Sequence, residues 1–352
     1  FIMAYTTVNK STTYHNANTY TGNGSARSFT GLGHQPDMVF LRARDATANT
    51  FMVDSVRGAT KNINWANSNG ESTNSDYVTS FDSDGYSIGN ANSVNYNGDE
   101  WVGWTWKAGT TGSGNTGGSG TYKTYSYSVN TVAKISVVKY TGNGTAGHTI
   151  PHHLGQAPTW TIVKALGNSE AWQIICAGLD ANKFIQNNND AQLSQGSYNM
   201  FNSTRPSSTV VTLGDQNHTN QNNIEYIMYN FCNVSGFSKS GRYSGNGNAN
   251  GTFVYTGFKP KFLMIKRADT GNSYDDWHVF DYLRQGYNPD NRKSEINDTG
   301  SESTDNTLLD FYSNGFKWRT TNSNNNGNGS HHIYLAFGQS IVGSNNIPAT
   351  AR

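Results

Sequence analysis

The chain has 352 residues, of which 34% are hydrophobic and 14% charged, with a formal net charge of +1 and a mean hydropathy of -0.66. Its Lys and Arg residues are scattered, which argues against a nucleic-acid interface. Aromatic residues make up 12% of the chain, more than disordered sequences carry, so we expect two or three folded domains with thin cores.

The opening segment, "FIMAYTTVNK", does not resemble a signal peptide, because it lacks a basic region followed by an apolar one. Nowhere does the sequence contain an apolar run of about 18 residues, the length that a membrane-spanning helix needs. We therefore expect no leader of this type and no membrane insertion.

A first unit is predicted over residues 12–108. It opens with the turn "YTGNG" at 20–24, and Pro36 then introduces the apolar strand "DMVFLRAR". Next come "FMVDSVRG", which places Asp54 three residues before Arg57, and "SFDSDGYSIG", whose Asp-Gly pair is typical of a two-residue β-hairpin. The strand "EWVGWTWKA" closes the unit.

Residues 109–131 are predicted to contain a Gly/Ser/Thr-rich linker and the leading strand of the next unit. The segment "AGTTGSGNTGGSG" at 108–120 has the composition of a flexible linker. We expect it to join the first unit loosely to the second. Almost no sequence separates the second unit from the third, so those two should pack closely.

The same marks recur in order in a second unit, residues 132–233, and a third, residues 237–340. The turn returns as "YTGNG" at 140–144 and as "YSGNG" at 243–247. A proline stands 16 to 18 residues after the Tyr of each turn, and a basic residue follows six residues later: Pro36 and Arg42, Pro158 and Lys164, Pro260 and Lys266. Recurrence in order indicates a repeat. Each proline followed by a short apolar run and then a charge predicts a buried strand that emerges at an edge with its charged residue.

Each unit ends in a strand whose alternate residues are apolar. They are Val102, Trp104 and Trp106, then Ile227, Tyr229 and Phe231, then Ile333, Leu335 and Phe337. Since successive strand residues face opposite sides of a sheet, each trio lies on one face. We predict that this is the core face, and that Trp104 and Trp106 are core residues and not a sugar-stacking platform.

The third unit keeps two further features of the first, whereas the second has diverged. "HVFDYLRQ" places Asp281 three residues before Arg284, and "DFYSNGFKWR" matches the hairpin, where the second unit has "TVVTLGDQNH". Strand signals recur at short intervals without sustained helical periodicity. The sequence therefore predicts an all-β fold of three tandem antiparallel β-sandwich, jelly-roll-like repeats.

The repeated acid and base pairs are interpreted as structural ion pairs. They stand at equivalent positions of two units, which favours a structural role over a catalytic couple. Asp82 and Asp84 echo a calcium loop, but the remaining ligands of an EF-hand are missing. A hairpin turn explains them better.

Histidine spacing does not predict a metal site. The histidine groups are His148, His152 and His153, with His331 and His332. Pro151 excludes the helix on which the four-residue spacing of His148 and His152 would form a ligand pair. We expect these side chains at the surface or at sheet edges, where in a homo-oligomer they could share an ion on a symmetry axis.

The two cysteines, Cys176 and Cys232, are too few for a zinc site or a disulfide framework. Both lie in apolar, strand-like runs. Buried thiols are therefore expected, and a single disulfide is the alternative.

Enzyme signatures are weak throughout the chain. Glycosidase chemistry needs two carboxylates across a cleft, and the acids available are Asp99, Glu100, Glu71 and Asp190. No carboxylate pair recurs in all three units, and nucleophile-elbow, Walker and dinucleotide motifs are missing. We therefore predict no enzymatic activity, no catalytic residues, no cofactor and no metal ligands, while ligand-binding residues stay unknown.

The first unit resembles a repeat domain of bacteriophage virion proteins, especially those of short-tailed phages of marine bacteria and cyanobacteria. The matching words are "YTGNG", "GLGHQPDMVFLRARD", "DSVRGATK", "SFDSDGYSIGN" and "WVGWTWKAG". In the third unit "YSGNG", "YTGFKPKFLMIKRAD" and "YSNGFKW" carry the resemblance, and in the second "YTGNG", "HLGQAPTWTIVKA" and the last strand do.

The resemblance implies a structural protein of the phage particle, as a tail fibre, head fibre or capsid decoration. It also implies other virion proteins as partners, assembly in the host cytoplasm and self-association, with a trimer as the expected symmetry. The polar loops at 90–100 and 322–332 are expected to contact a host-surface glycan or protein. A secreted bacterial carbohydrate-binding protein or adhesin is the alternative, and a polysaccharide depolymerase is a weaker one.

Overall fold

The computed structural model describes residues 6–188, 191–269, 276–304 and 308–342. Its strands form six sheets, and helices are limited to single turns, including a 3-10 turn at Ser11–Thr13. Neighbouring strands within each sheet run antiparallel, as in the pairing of the first and last long strands of the first unit. The all-β prediction is confirmed. None of the described helices is long and apolar enough to cross a membrane.

The first predicted unit forms two sheets. Its elements are β1 (His15–Thr21), β2 (Arg27–Phe29), β3 (Met38–Ala43), β4 (Phe51–Asp54), β5 (Lys61–Asn64), β6 (Ser72–Thr73), β7 (Val78–Asp82), β8 (Gly85–Ile88), α1 (Asn92–Asn95) and β9 (Glu100–Trp106). The large sheet has the order β1-β9-β3-β4-β5-β6, and the small sheet has the order β2-β8-β7.

The next stretch of chain contributes a second large sheet and a second small one. Its elements are β10 (Thr110–Asn115), β11 (Gly117–Gly118), β12 (Thr124–Asn130), β13 (Ile135–Thr141), β14 (His148–Pro151), β15 (Trp160–Ala165), β16 (Gln173–Cys176), β17 (Lys183–Gln186), β18 (Leu193–Ser194), β19 (Val210–Leu213), α2 (Asn217–Asn220) and β20 (Glu225–Phe231). The orders are β10-β12-β13-β20-β15-β16-β17-β18 and β11-β14-β19.

The last stretch repeats the arrangement. Its elements are β21 (Ser238–Ser244), β22 (Phe253–Tyr255), β23 (Phe258–Arg267), β24 (His278–Asp281), α3 (Tyr282–Gln285), β25 (Ser294–Glu295), β26 (Leu309–Tyr312), β27 (Gly315–Trp318), α4 (Ser323–Asn326) and β28 (His331–Ser340). The orders are β21-β28-β23-β24-β25 and β22-β27-β26. In each large sheet the closing strand therefore lies between two other strands of its unit. β9 lies between β1 and β3, β20 between β13 and β15, and β28 between β21 and β23.

Each large sheet packs against its small sheet through a separate hydrophobic cluster. In the first unit, Val39 and Leu41 of the large sheet share a cluster with Tyr86 and Ile88 of the small sheet. Corresponding clusters lie in the second and third units. The large-sheet residues of each cluster all point to the same side of their sheet, the side that faces the small sheet.

The residues that point to the other side of the three large sheets form one shared core. All three closing-strand trios belong to it, so their predicted core position is confirmed, with Trp104 fully buried and Trp106 3% exposed. At its centre Trp65 stacks against Trp172, with ring centroids 4.6 Å apart, and contacts Trp277 at 6.0 Å. One tryptophan comes from each predicted unit, so the three units enclose a common interior.

The segment predicted as a flexible linker in fact contributes strands to both sheets of the second unit. β10 pairs with β12 and β11 pairs with β14, so residues 108–120 add edge strands. The glycines make this possible, because a Cβ on Gly112 would come within 2.5 Å of the Tyr127 hydroxyl and one on Gly114 within 2.9 Å of that of Tyr125. Tyrosine rings cover the glycines across the strands, a pairing that composition alone does not reveal.

The repeated Gly-Asn-Gly turn packs against the short helix that precedes each closing strand. In the first unit, Gly24 N donates to Asn95 O at 2.9 Å and Asn23 N donates to Asn95 Oδ1 at 3.0 Å. A Cβ on Gly22 would lie 1.9 Å from the Tyr96 carbonyl oxygen. The turn joins strands of different sheets and is not itself a hairpin, and its first glycine is required for close backbone approach.

Candidate functional site

Two buried ion-pair sets occupy matching positions, at the ends of β4 and β24. Arg57 Nε donates to Asp54, and Arg284 Nε donates to Asp281 at 2.6 Å. A glutamate from a later loop joins each arginine, Glu71 at 3.3 Å and Glu302 at 2.7 Å. All four Asp and Arg side chains are fully buried, which fits the predicted structural role.

Each set also binds the closing strand of another unit. Tyr229 donates its hydroxyl to Asp54 Oδ2 at 2.7 Å, and Trp104 Nε1 donates to Asp281 Oδ2 at 2.9 Å. Burial alone would raise the pKa of Asp281, but the charge of Arg284 and these hydrogen bonds hold it below its ordinary value. Asp281 therefore stays ionised, and both Asp54 and Asp281 join neighbouring units through these hydrogen bonds.

The second unit replaces the whole set with uncharged residues. β16 ends in Cys176 where the other strands end in Asp, Leu179 stands in the arginine position, and Gln192 stands in the glutamate position. The closing strand opposite, β28, carries Leu335 where the others carry Trp or Tyr. An unpaired charge in a water-free interior is strongly unfavourable, so replacing a single member of the set would destabilise the protein, whereas replacing all of them avoids the unpaired charge.

A ring of backbone hydrogen bonds links the three units. Glu302 N donates to Arg44 O at 2.6 Å, Glu71 N to Leu166 O at 2.9 Å, and Gln192 N to Ala268 O at 3.1 Å. The three acceptors stand eight residues after Pro36, Pro158 and Pro260. The loop of the third unit thus binds the first, that of the first binds the second, and that of the second binds the third.

The basic residues six positions after each proline lie inside this ring. Arg42, Lys164 and Lys266 are all at most 1% exposed, so they are not the strand-edge charges that the sequence predicted. Arg42 donates to the carbonyl oxygens of Asp298 and Gly300, at 2.9 and 2.5 Å. Burial lowers the pKa of Lys164 to about 8. Lys164 donates to Ser68 O of the first unit at 3.2 Å, so Arg42 and Lys164 each bind a backbone carbonyl of a neighbouring unit. All three cations are buried and out of reach of a ligand.

A surface cleft of about 350 Å³ lies in the first unit and is here called the Tyr96 cleft. Its walls include Asn49, Asn92, Ser93, Tyr96 and Asp99. Tyr96 is 51% exposed. Burial, followed by the nearby charge of Asp45, raises the pKa of Asp99 above its ordinary value. Asn92, Ser93, Tyr96 and Asp99 belong to the loop 90–100 that was predicted to contact the host surface.

Comparison of matching positions indicates that the fold does not require this cleft. The residue after the short helix is Tyr96 in the first unit, Gln221 in the second and Gly327 in the third. The helix and the closing strand persist in all three. An exposed aromatic side chain at this point is therefore particular to the first unit.

Several histidines are buried, contrary to the prediction of surface positions. His148, His152 and His332 are fully buried. His148 contacts Asn220 Oδ1 at 2.8 Å and Thr116 Oγ1 at 2.7 Å, which leaves neither ring nitrogen for a metal. His153 stacks on Tyr127 with centroids 3.9 Å apart, and His331 is half-buried. The strands bring small polar partners to these rings, which sequence spacing does not show.

Two other interpretations of the sequence, the buried thiols and the Asp-Gly hairpin, agree with the structure. Cys176 and Cys232 are free and buried, as predicted, and burial raises the pKa of both thiols to about 12. β7 and β8 form the predicted hairpin, in which Asp84 accepts from the backbone N–H groups of Gly31 and Gly33. The second unit has no counterpart of β7 in the described part of its small sheet.

The carboxylates considered for catalysis are not brought together. Glu71 belongs to the ion-pair set of Arg57, and Glu100 pairs with Arg44 at 2.9 Å. Asp99 lines the Tyr96 cleft. Asp190 lies outside the described residues.

One group of side chains with metal-ligand chemistry was missed by the sequence analysis. Asp276, His278 and Glu295 place one ligand atom each within 4.8 Å of one another. Asp276 and His278 are separated by one residue, but Glu295 comes from a different strand. No motif spacing marked them, because strand pairing brings them together.

The fold and the site define an all-β protein whose sheets surround one core and which carries an open polar and aromatic cleft. The chain belongs to the DUF7483 family, described as a domain of unknown function, whose sequence profile matches residues 10–340. This match spans all three predicted units. No curated protein and no solved structure matches the chain.

Proposed function

We propose that this protein is a non-enzymatic structural component of a bacteriophage particle, displayed on the virion surface as a fibre or capsid decoration, where it contacts a host-surface glycan. The sequence resemblance to phage virion proteins supports this role. The free, buried cysteines are consistent with it, because a protein that needs no disulfide can fold in a reducing cytoplasm and then persist outside the cell.

We further propose that the chain consists of three β-sandwich repeats arranged as a ring around one core. The matching strand orders and the three backbone hydrogen bonds between successive units support this arrangement. The repeats would then form one body and not modules that project one after another. Self-association as a trimer stays a prediction, which size-exclusion chromatography with light scattering would check.

The Tyr96 cleft carries the proposal of glycan contact. An exposed aromatic ring offers a flat apolar face to a sugar ring, and amide and carboxylate groups bond to its hydroxyl groups. Among the described residues, the side chains of Asn49, Asn92 and Asp99 form no hydrogen bond within the protein. Their hydrogen-bonding capacity is therefore available to a ligand.

Binding of host polysaccharide to the purified chain tests this proposal. We expect Tyr96→Ala to weaken binding about tenfold or more, since it removes the stacking face. Tyr122→Ala is the matched control, because Tyr122 is 62% exposed and does not line the cleft. Equal binding by the Tyr96→Ala variant and the parent chain would contradict a role of the cleft.

The position of the chain in a purified particle tests the structural role separately. Contact with portal or tail subunits would identify a tail or neck fibre, and contact with capsid hexamers a decoration protein. If the chain is missing from particles and is released by uninfected bacteria, a secreted carbohydrate-binding protein or adhesin replaces the proposal. Release of reducing ends from host polysaccharide would instead identify a depolymerase.

A further inference from the structure

Asp276, His278 and Glu295 form a compact group at one end of the large sheet in the third unit, here called the β24–β25 cluster. His278 begins β24, and Glu295 is its direct partner across the strand pair with β25. One ligand atom of each residue lies within 4.8 Å of those of the other two. His278 is 1% exposed, whereas the two carboxylates are half-buried and reach solvent.

The imidazole of His278 is held with one nitrogen directed at the carboxylates. Nδ1 lies 2.9 Å from Asn325 Oδ1, which can only accept, so Nδ1 carries the proton. Nε2 has no hydrogen-bond partner of normal geometry within the described residues, and it lies 3.5 Å from Glu295 Oε1. Histidine ligands of metals are commonly oriented in this way, with the other ring nitrogen donating to an oxygen.

The other two units show that the sheet does not need these residue types. The matching positions hold Asn49, Phe51 and Asn64 in the first unit, and Ala171, Gln173 and Gln186 in the second. Gln186 Nε2 donates to Gln173 Oε1 at 3.2 Å, an uncharged cross-strand pair that performs the structural task. The acidic residues and the histidine are thus a property of the third unit alone.

The local charge favours a cation. Lys293 Nζ lies 2.9 Å from Glu295 Oε1 and offsets one of the two carboxylates. Asp276 accepts from the neutral Asn297 Nδ2 at 2.9 Å, and no cation among the described residues forms an ion pair with it. The two carboxylates and Lys293 together therefore carry a net negative charge.

We propose that Asp276, His278 and Glu295 bind a divalent transition-metal ion, with Zn²⁺ the best match. One imidazole nitrogen and two carboxylate oxygens are a ligand set that zinc accepts in tetrahedral geometry, with water in the fourth position. Calcium and magnesium fit less well, because they prefer coordination by oxygen alone. The ion would clamp β24 to β25 at the end of the sheet.

Zinc titration of the full chain by calorimetry, after treatment with a chelator, tests this site. We expect one Zn²⁺ per chain, a higher melting temperature with Zn²⁺, and no comparable effect of Ca²⁺ or Mg²⁺. Asp276→Asn and Glu295→Gln should each weaken binding about tenfold or more, since each removes a ligand charge while nearly preserving shape. Circular dichroism without metal would establish that both variants fold.

A second His–Glu pair provides the matched control. His218 Nε2 lies 2.9 Å from Glu170 Oε2, and within the described part of the chain no third ligand accompanies this pair. Glu170→Gln should therefore leave zinc binding unchanged. The proposal is overturned if the parent chain binds no Zn²⁺, if Glu170→Gln weakens binding as much as Glu295→Gln does, or if Asp276→Asn and Glu295→Gln both bind like the parent. Should Glu295→Gln fail to fold, Asp276→Asn decides the question.

Discussion

Arg57 and Arg284 each lie fully buried between two carboxylates and beside a donor from another unit. The pKa of each arginine is raised, because nearby carboxylates outweigh the effect of burial, which acts in the opposite direction. Sequence spacing identified the Asp and Arg of each set correctly. The glutamates, Tyr229 and Trp104 could not be assigned to them, since they come from distant strands.

Replacing one member of such a set should be more destabilising than replacing all of it. Arg57→Leu leaves the buried Asp54 without its cation, while Glu71 keeps only Lys61 at 3.5 Å, so we expect the free energy of unfolding to fall by about 3–5 kcal/mol. The combined change Asp54→Cys, Arg57→Leu, Glu71→Gln and Tyr229→Leu copies the uncharged set of the second unit. Urea denaturation should show a smaller loss for this variant than for Arg57→Leu alone.

The control for this comparison is an exposed ion pair. Lys139 Nζ lies 2.9 Å from Glu225 Oε1, with side chains 30% and 54% exposed. Lys139→Met should therefore change stability by less than about 1 kcal/mol. If the fourfold variant proves less stable than Arg57→Leu, the charges do not act as a set.

Buried neutral histidines should make the protein sensitive to mild acid. Burial lowers the pKa of His15 to about 3, and those of His152 and His332 to about 4. In the unfolded chain the same groups take up protons near pH 6.5. Stability is therefore full above that pH and falls as the pH drops toward 4, because only the unfolded state then gains protons. We expect about 2 kcal/mol lost per histidine between pH 7 and pH 5 in urea denaturation.

A single variant can check the histidine explanation. His332 stacks on Tyr243 with ring centroids 4.8 Å apart, so Phe can occupy its place. Between pH 7 and pH 5, His332→Phe should lose about 2 kcal/mol less of its free energy of unfolding than the parent chain does. Its stability at pH 7 should be little changed. An unaltered slope would contradict the assignment of His332 as one of the acid-sensitive groups.

At the scale of elements, the Gly-Asn-Gly turns and the Gly-rich segment at 108–120 show why glycine is hard to interpret in a sequence. The turn sequences were interpreted as marks of a repeat, and each turn packs on a short helix. Their partners, the short helices ending at Asn95, Asn220 and Asn326, lie more than 70 residues away. The segment at 108–120 has linker composition, yet β10 is paired because tyrosines cover its glycines. Such partners become visible only after the strands pair.

The first glycine of each turn should not tolerate a side chain. A Cβ on Gly142 would lie 2.4 Å from Gln221 O, so we expect Gly142→Ala to destabilise the protein by about 1–3 kcal/mol. Gly196 is the control, because its nearest neighbour, Ser194 Oγ, is 3.6 Å away. Thermal unfolding of both variants gives the comparison, and equal melting temperatures would rule out the close approach as the reason for the glycine.

At the scale of the whole molecule, the shared core makes the three units depend on one another. Trp65, Trp172 and Trp277 meet at its centre, and Trp104 is bonded to Asp281 of the third unit. A chain of separate modules joined by a linker would have an independent core in each module. Here the closing strands of all three units bury their apolar faces together.

We therefore expect the full chain to unfold in one cooperative calorimetric transition. A chain ending at residue 236 would expose the faces that contact Phe262, Phe337 and Trp277, so it should lack fixed near-UV circular dichroism and aggregate. Two or three resolved transitions, or a well-folded fragment, would show that the units are stable alone.

The sequence by itself determined the strand class, the positions of the closing strands and the order of the repeated marks, because these follow from local patterns of alternating apolar residues, prolines and turn glycines. Only the tertiary structure decided that residues 108–120 are strands, that several histidines are buried, and that the units surround one core. It also brought Glu295 to His278 and placed Tyr96 at a cleft. Each of these depends on which strands pair and which sheet faces meet, and residues far apart in sequence carry no local sign of that contact.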